Sequence, residues 1–320
     1  MNIYRQITEL PAFKNTVLTI GSFDGVHLGH QQIIHQLVET ARSRKCESVV
    51  VTFHPHPRHV VQTTDPNHLS ASLQLLNTLE EKAELLQKLG VDNLVVVPFD
   101  ETFANQTAET YISDFLIKCF APSLIIIGYD HRFGKNRSGG LEQLKQAANL
   151  YNYELLEISP HDVADMRVSS SKIRLALLSA APAQAAQLLG YPYTLKGKVI
   201  HGKQIGRSLG FPTANIYPTD PEKLIPSVGI YAVRVWVENE LYGGMLYIGH
   251  RPSLGAALEQ SIEVNIFGFD RLIYDQFIRI EMVDFVRADA TYPTFEALKT
   301  QLQADKIAAL AILSQKNTPV

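Results

Sequence analysis

The first half of the chain alternates short apolar runs with segments of helical pattern, and this alternation restricts the possible folds. Apolar, mostly β-branched runs occupy residues 16–20, 48–53, 93–98 and 123–128. Segments with apolar residues at helical spacing follow these runs, at 30–42, 73–89, 109–119 and 141–150. Strands that are apolar throughout are buried on both faces, which is typical of a parallel sheet covered by helices. The first half is therefore predicted to form an α/β domain.

The second half has a different pattern. Two short helices are predicted at 170–178 and 182–189, and the tail at 294–313 has helical spacing. Between them the apolar runs are short, alternating and separated by turns, at 193–201, 229–237, 245–248, 262–267 and 277–285. This pattern predicts a small antiparallel β-barrel with a C-terminal helix. A chain of 320 residues is long enough for two domains, which we place at 1–184 and 185–320.

Composition argues against several classes of protein. The formal net charge of −3 disfavours a protein that binds nucleic acid through overall positive charge. Cys46 and Cys119 stand alone, which disfavours a disulfide framework or a cysteine zinc site. The start has no signal-peptide core, and no apolar run approaches the ~20 residues that a membrane span needs. We therefore expect a cytoplasmic protein without membrane partners, as a monomer or a weak homo-oligomer.

The segment GSFDGVHLGH, residues 21–30, follows the first predicted strand and opens the first predicted helix. Ligands of open parallel sheets bind beyond the carboxyl ends of the strands, where a helix N-terminus offers free N–H groups to phosphate. His27 and His30 could donate hydrogen bonds to a phosphoryl group during its transfer. Nucleotide binding is predicted for Gly21, Phe23, Asp24, Gly25 and Gly29. The alternative is a plain strand–helix turn with two surface histidines.

Three further segments follow in order: TFHPHP at 52–57, GYDHRFG at 128–134 and SSSKIR at 169–174. With the first motif, they resemble the nucleotidyltransferase half of bacterial bifunctional riboflavin kinase/FAD synthetases. The resemblance implies a Rossmann-like domain that transfers AMP from ATP to FMN. The alternative for His54, His56 and His59 is a metal site, although the neighbouring prolines keep the backbone extended and no carboxylate or cysteine completes a ligand set.

The resemblance also implies residue roles in adenylyl transfer. His27 and His30 would stabilise the reacting phosphates, and Arg174 with Ser170 and Ser171 would hold the pyrophosphate or β-phosphate. The resemblance further implies that Asp130 and Arg132 contact the nucleotide. It also implies that Phe53 and Pro55 contact the flavin. The phosphate of FMN is already an anion, so catalysis requires alignment and charge neutralisation rather than a base.

The segment GKQIGRSLGFPTAN, residues 202–215, resembles the riboflavin kinase half of the same family. The overlapping GKVIHGKQ is not a P-loop, because Gln204 replaces the required hydroxyl and no strand–loop–helix unit surrounds it. The resemblance implies a Greek-key barrel in which Thr213 and Asn215 supply hard oxygen ligands to Mg²⁺. The resemblance also implies that Gly202, Gly206 and Arg207 belong to a glycine-rich flap that contacts the nucleotide. The alternative is a glycine-rich hairpin followed by a proline turn.

Two later strands complete the implied kinase site. Glu263 matches the family's glutamate and could accept the proton of the attacking ribityl hydroxyl, the alternative being an exposed strand carboxylate. Arg251 is implied to contact flavin. The chain departs from the family pattern at four positions, Tyr247, Ser253, Asn265 and Asp275.

The sequence thus predicts an enzyme that uses ATP and Mg²⁺ to convert riboflavin to FMN and FMN to FAD. One alternative is another nucleotidyltransferase with the HxGH motif, such as a cytidylyltransferase, which the kinase-like second half opposes. Another is a flavin-binding regulator, which the complete reactive set opposes. A third is an enzyme that has kept only one of the two steps.

Overall fold

A computed structural model describes residues 1–61, 73–128, 131–158, 168–202, 205–251 and 259–316. The chain divides into two compact units, Met1–Ser169 and Ser170–Val320. This division falls before the predicted boundary at 184/185, because the two short helices pack within the second unit. The amide of Ser227, which precedes a barrel strand, donates to the carbonyl of Leu177 at 3.2 Å. The functional boundary at 184/185 stays a prediction.

The first unit contains a six-stranded parallel sheet with the order β1-β4-β3-β2-β5-β6. Its strands are β1 (Asn2–Tyr4), β2 (Thr16–Ile20), β3 (Ser48–His54), β4 (Asn93–Pro98), β5 (Pro122–Gly128) and β6 (Glu154–Ile158). The four predicted strands form the centre of the sheet. The edge strands β1 and β6 lack the continuous apolar signal, because they are short or largely exposed.

Helices cover both faces of this sheet. They are α1 (Leu28–Arg44), α2 (Pro57–Val60), α3 (Leu79–Lys88), α4 (Glu101–Ala104), α5 (Ala108–Thr110), α6 (Lys118–Phe120) and α7 (Leu141–Tyr151). A π-helical segment, Tyr111–Ile117, joins α5 to α6. Successive strand residues point to opposite faces, so Val17 and Val50 pack in one apolar core and Leu18 and Val51 in the other.

The helix predicted from residue 73 begins later, at Leu79. The Asp24 carboxylate accepts from the amide of Leu76 at 2.9 Å and from that of Asn77 at 3.4 Å, which fixes this segment in a non-helical conformation. Thr78 and Glu81 then form a capping box that begins α3. A contact distant in sequence has overridden the local helical pattern.

The second unit is a closed six-stranded barrel with the order β10-β11-β8-β7-β12-β9. Its strands are β7 (Thr194–Ile200), β8 (Ala214–Pro218), β9 (Gly229–Val237), β10 (Glu240–Arg251), β11 (Glu259–Ile266) and β12 (Phe277–Arg287). Its helices are α8 (Ser170–Leu178), α9 (Pro182–Leu189), α10 (Ile205–Ser208) and α11 (Phe295–Gln315). The predicted barrel and C-terminal helix are confirmed. Within the described ranges, no helix combines the length and apolarity of a membrane span.

Candidate active sites

The turn between β2 and α1 has an unusual backbone. Its residues Phe23, Gly25 and Val26 have positive φ values of 45°, 86° and 33°. Positive φ is unfavourable for a β-branched residue such as Val26, and such conformations concentrate at functional sites. The turn leads directly into the N-terminus of α1, where backbone N–H groups are free for an anion.

His27 and His30 come together at this helix start. Their rings stack with centroids 3.6 Å apart and an interplanar angle of 15°. His27 is the N-cap of α1, and its Nδ1 accepts from the backbone amide of His30 at 3.3 Å. Phe23 packs edge-on against His30, with centroids 5.3 Å apart. The turn therefore holds both imidazoles at the end of β2, as the sequence predicted.

The electrostatics of His30 favour its neutral form. The residue is partly exposed, but Nδ1 is buried and has no hydrogen-bond partner among the described residues. Burial lowers the pKa of His30 well below its usual value, and the charges of His27 and Lys82 lower it further. A ligand with negative charge would reverse this effect.

The predicted flavin motif lines a cleft beside this turn. The cleft is shallow and partly open to solvent. The residues that line it are Asp24, Phe53, His54, His56, Leu75, Asn77, Leu79 and Lys82. Phe53 also contacts the rings of Phe99 and Phe103. Pro55 is exposed beside this cleft, after a cis peptide bond. The motif thus supplies both aromatic and imidazole groups to one opening.

Two histidines of the alternative metal site make other contacts. His56 caps α2 by accepting from the amide of Arg58 at 3.2 Å, and His59 Nε2 lies 2.8 Å from the carbonyl oxygen of Leu73. Across the described ranges, no group of three His, Cys, Asp or Glu side chains could hold a metal ion.

Sequence reasoning missed Lys82, which is 7% exposed in the wall of this cleft. Its Nζ donates to the carbonyl of Ser22 at 2.6 Å and lies 3.3 Å from Thr52 Oγ1. The sequence does contain a pattern that indicates a buried lysine, because Leu79, Lys82 and Leu86 are spaced to share one face of α3. A lysine within an apolar stripe is a reason to look for a buried charge.

The other residues predicted for adenylyl transfer are distributed along later segments. Asp130 lies outside the described residues. Arg132 is exposed and lies against Gly140, where a Cβ atom would be 2.6 Å from its guanidinium nitrogen. Ser170, Ser171 and Arg174 are in the first two turns of α8, in the second unit. Their roles stay predictions.

The second candidate site lies in the barrel, where β8 pairs with β11. Thr213 Oγ1 donates to Glu263 Oε2 at 3.0 Å, and Ser261 Oγ donates to Glu263 Oε1 at 3.0 Å. Asn215 on β8 is the register partner of Glu263 on β11, and its side chain is buried. The structure thus brings together the predicted metal ligands and the predicted base.

The glycines before this site permit close approach. A Cβ atom at Gly202 would overlap the side-chain amide of Asn215, and one at Gly206 would overlap the carbonyl of Phe211. Arg207 is exposed on α10. Arg251 ends β10, and its side chain lies outside the described part of the structure.

Three of the four departures from the family pattern make specific contacts. Asn265 Nδ2 donates to the carbonyl of Pro212 at 2.7 Å, directly before Thr213. Tyr247 is the register partner of Glu263, and its hydroxyl donates to Asp289 at 3.1 Å. Asp275 pairs with Lys198 at 2.8 Å. Ser253 lies outside the described residues.

Comparison with known proteins gives matches to both halves of the chain. Residues 10–172 match the family model described as FAD synthetase, and residues 189–313 match riboflavin kinase. A bifunctional riboflavin kinase/FMN adenylyltransferase of Listeria monocytogenes is 36% identical over 91% of this chain and 90% of its own. The Haemophilus influenzae protein of the same name is 35% identical over 93% of this chain and 94% of its own.

One solved structure is similar over both units. It is a crystal structure of a protein from Streptococcus pneumoniae described as a macrolide-efflux protein. The TM-score is 0.84 and the identity 28%, with 96% of this chain and 98% of the other covered.

Proposed function

Because this chain belongs to the bifunctional riboflavin kinase/FMN adenylyltransferase family, we propose that its two activities use separate sets of residues. The chain has an FAD synthetase domain followed by a riboflavin kinase domain. Adenylylation of FMN is assigned to the turn that holds His27 and His30. Phosphorylation of riboflavin is assigned to Thr213, Asn215 and Glu263. The observation that carries this proposal is the hydrogen bond between Thr213 and Glu263, which joins separate kinase motifs at one point.

In adenylyl transfer, a phosphate oxygen of FMN attacks the α-phosphorus of ATP and pyrophosphate leaves. The attacking oxygen carries negative charge, so the protein does not have to remove a proton. The paired imidazoles and the free N–H groups of α1 are suited to hold the reacting phosphates and offset their charge.

In riboflavin phosphorylation, the primary hydroxyl of the ribityl chain attacks the γ-phosphorus of ATP and ADP leaves. This hydroxyl is neutral and loses its proton as the new P–O bond forms. Glu263 would accept that proton. Its two oxygens already accept hydrogen bonds from Thr213 and Ser261, which orient the carboxylate.

The residues at this site fit a bound Mg²⁺ ion. Thr213 and Asn215 offer oxygen ligands, and a site with few protein ligands suits Mg²⁺ that is held mainly by substrate phosphates. When bound, the ion would neutralise phosphate charge. Thr213 and Asn215 would position it, and the buried Asn215 side chain is restrained by its contact with Gly202. The monomer or weak homo-oligomer state and the cytoplasmic location stay predictions.

A product assay that separates FMN from FAD tests the assignment. His30→Ala should abolish FAD formation from supplied FMN and ATP while sparing FMN formation from riboflavin. Glu263→Ala should abolish FMN formation and spare FAD formation. The controls are His35→Ala, on the exposed face of α1, and Glu296→Ala, at an exposed position in the first turn of α11. Equal loss of both activities in both variants would overturn the assignment.

A further inference from the structure

Lys82 is a charged residue at an unusually buried position. It lies on the face of α3 that also carries the apolar residues Leu79 and Leu86, and it is 7% exposed. Lysine is almost never fully buried without a partner, because removing its charge from water is costly. Apolar residues could fill this face of the helix without that cost.

The contacts of Lys82 join the two motifs of the first candidate site. Ser22, whose carbonyl it binds, belongs to the histidine-bearing turn, and Thr52 begins the flavin motif. Thr52 Oγ1 also donates to the carbonyl of Ser22 at 3.2 Å. An ammonium group has three N–H donors. Within the described ranges Lys82 Nζ has these two hydrogen-bond partners, so one donor is left for a ligand.

The charges around Lys82 are compatible with a bound anion. Asp24 is the acidic residue in the same cleft, and its Oδ1 already accepts hydrogen bonds from the amides of Leu76 and Asn77. Lys82 also acts electrostatically on His30, so its positive charge reaches the paired imidazoles. Burial lowers the pKa of Lys82 to about 8, and Asp24 opposes that change. The side chain is therefore mainly a cation at neutral pH.

We propose that Lys82 binds a phosphate group of the adenylylation substrates at the junction of the histidine turn and the flavin motif. Two of its N–H donors hold these segments together, and the third contacts a phosphate oxygen. The phosphate belongs either to FMN or to ATP, and both present the same chemistry to an ammonium group. The inference rests on the proposed location of adenylylation at His27 and His30.

Steady-state kinetics of FAD formation test this contact. Lys82→Met keeps the length of the side chain but removes its charge and its donors. It should raise the KM for the substrate whose phosphate is bound by about tenfold or more, since hydrogen bonds to charged groups are among the strong ones. A rise for FMN alone identifies the FMN phosphate, and a rise for ATP alone identifies the triphosphate. Lys82→Arg should recover part of the loss, because it keeps the charge.

A pH profile separates the contact from a purely structural role. For the wild type, kcat/KM for the bound substrate should fall as pH rises through about 8, where Lys82 loses its proton. The Met variant should lack this fall. Other charged or titratable groups face the same cleft or turn, namely Asp24, His27, His30, His54 and His56, and they are identical in both proteins. Lys88→Met, an exposed change on the same helix, should behave as the wild type.

Nuclear magnetic resonance of wild-type protein with ¹³C-labelled lysine provides a test that does not depend on whether the Met variant folds. The Lys82 signal is the one missing in Lys82→Arg. Addition of FMN or ATP should raise the pKa of Lys82, whereas riboflavin, which lacks the phosphate, should leave it unchanged.

The proposal is overturned if a folded Lys82→Met protein keeps both KM values, or if no phosphate-bearing substrate moves the pKa of Lys82. The location of the site is tested apart from this contact. If His30→Ala leaves FAD formation intact while Lys82→Met raises a KM, the assignment to the histidine turn fails and the phosphate contact stands.

Discussion

His27 and His30 lie face to face, with ring centroids 3.6 Å apart, and the Nδ1 atom of His27 accepts the backbone amide of His30. This bond uses a lone pair of His27, so the ring must present a deprotonated Nδ1 to the helix. Two stacked imidazoles cannot both be charged without strong repulsion. The unliganded pair therefore has its lowest free energy when at least one ring is neutral.

This geometry predicts a change of protonation when nucleotide binds. Without ligand, burial keeps the pKa of His30 well below its usual value, so the ring is neutral at pH 7. The negative charge of a bound triphosphate favours the protonated form, so ATP with Mg²⁺ should raise the pKa of His30. Ring resonances of ¹³C-labelled histidine followed over pH measure this change, with His30→Ala providing the assignment.

The exposed His35 on the same helix serves as the control for that titration. Its resonances should respond to ATP much less than those of His30. Equal changes at both rings would indicate a general effect of added charge, and an unchanged His30 would contradict the predicted nucleotide contact.

Asn265 is predicted to position the metal-binding turn of the kinase site. Asn265→Ala removes its 2.7 Å bond to the Pro212 carbonyl, so Thr213 loses the restraint on its preceding residue. FMN formation should fall severalfold, with a loss of stability of about 1–3 kcal/mol for the unsatisfied carbonyl. Asn265→Asp has the same shape but lacks the N–H donor, and it should be at least as damaging. FAD formation from supplied FMN is the internal control, because that reaction does not use this turn.

The strongly patterned elements of the fold could be predicted from the sequence, and several elements defined by tertiary contacts could not. The run at 229–237 is predicted as a strand because it is almost continuously apolar and rich in β-branched and aromatic residues, and β9 spans those residues. Strand β8 was missed, since Ala214–Pro218 is short and includes Asn215, a polar residue of the kinase site. The late start of α3 depends on Asp24, which is distant in sequence.

The candidate sites likewise combine features that local sequence predicts with features that depend on tertiary contacts. Motif spacing places His27 and His30 at a helix start, which follows from local sequence alone. The bond between Thr213 and Glu263 joins residues 50 positions apart, so only the family resemblance could suggest it. Lys82 belongs to no quoted motif, and its role depends on which surface of α3 is buried. The positive φ of Val26 has no signal in residue type at all.

Arg287 and Asp305 are predicted to fix α11 on the barrel. Arg287 Nε and Nη2 each lie 2.7 Å from a carboxylate oxygen of Asp305, which is 1% exposed. Arg287→Met leaves this buried carboxylate without its main partner, at an expected cost of about 3–5 kcal/mol in the free energy of unfolding. The exposed pair of Lys118 and Asp114 is the contrast, since Lys118→Met should cost about 0–1 kcal/mol.

Urea unfolding followed by the fluorescence of Trp236 measures the Arg287 effect, because the chain has one tryptophan and it lies in the second unit. The midpoint should move to lower urea concentration in Arg287→Met. The alternative result, an unchanged midpoint, would mean that α11 is held by its apolar contacts alone.

The lowered pKa of Lys82 makes the stability of the first unit depend on pH. The folded ammonium group loses its proton near pH 8, whereas in the unfolded chain it does so near pH ~10.4. Between these values the unfolded chain binds more protons, so the free energy of unfolding rises with pH. The Lys82→Met protein lacks this contribution. Between pH 7 and pH 10.5, the free energy of unfolding of the wild type should therefore rise by about 3 kcal/mol relative to that of Lys82→Met. Urea unfolding followed by circular dichroism measures it in ligand-free protein, while Trp236 fluorescence reports the second unit, whose transition should be the same in both proteins. A difference that stays constant over this pH range would show that Lys82 keeps its proton in the folded state.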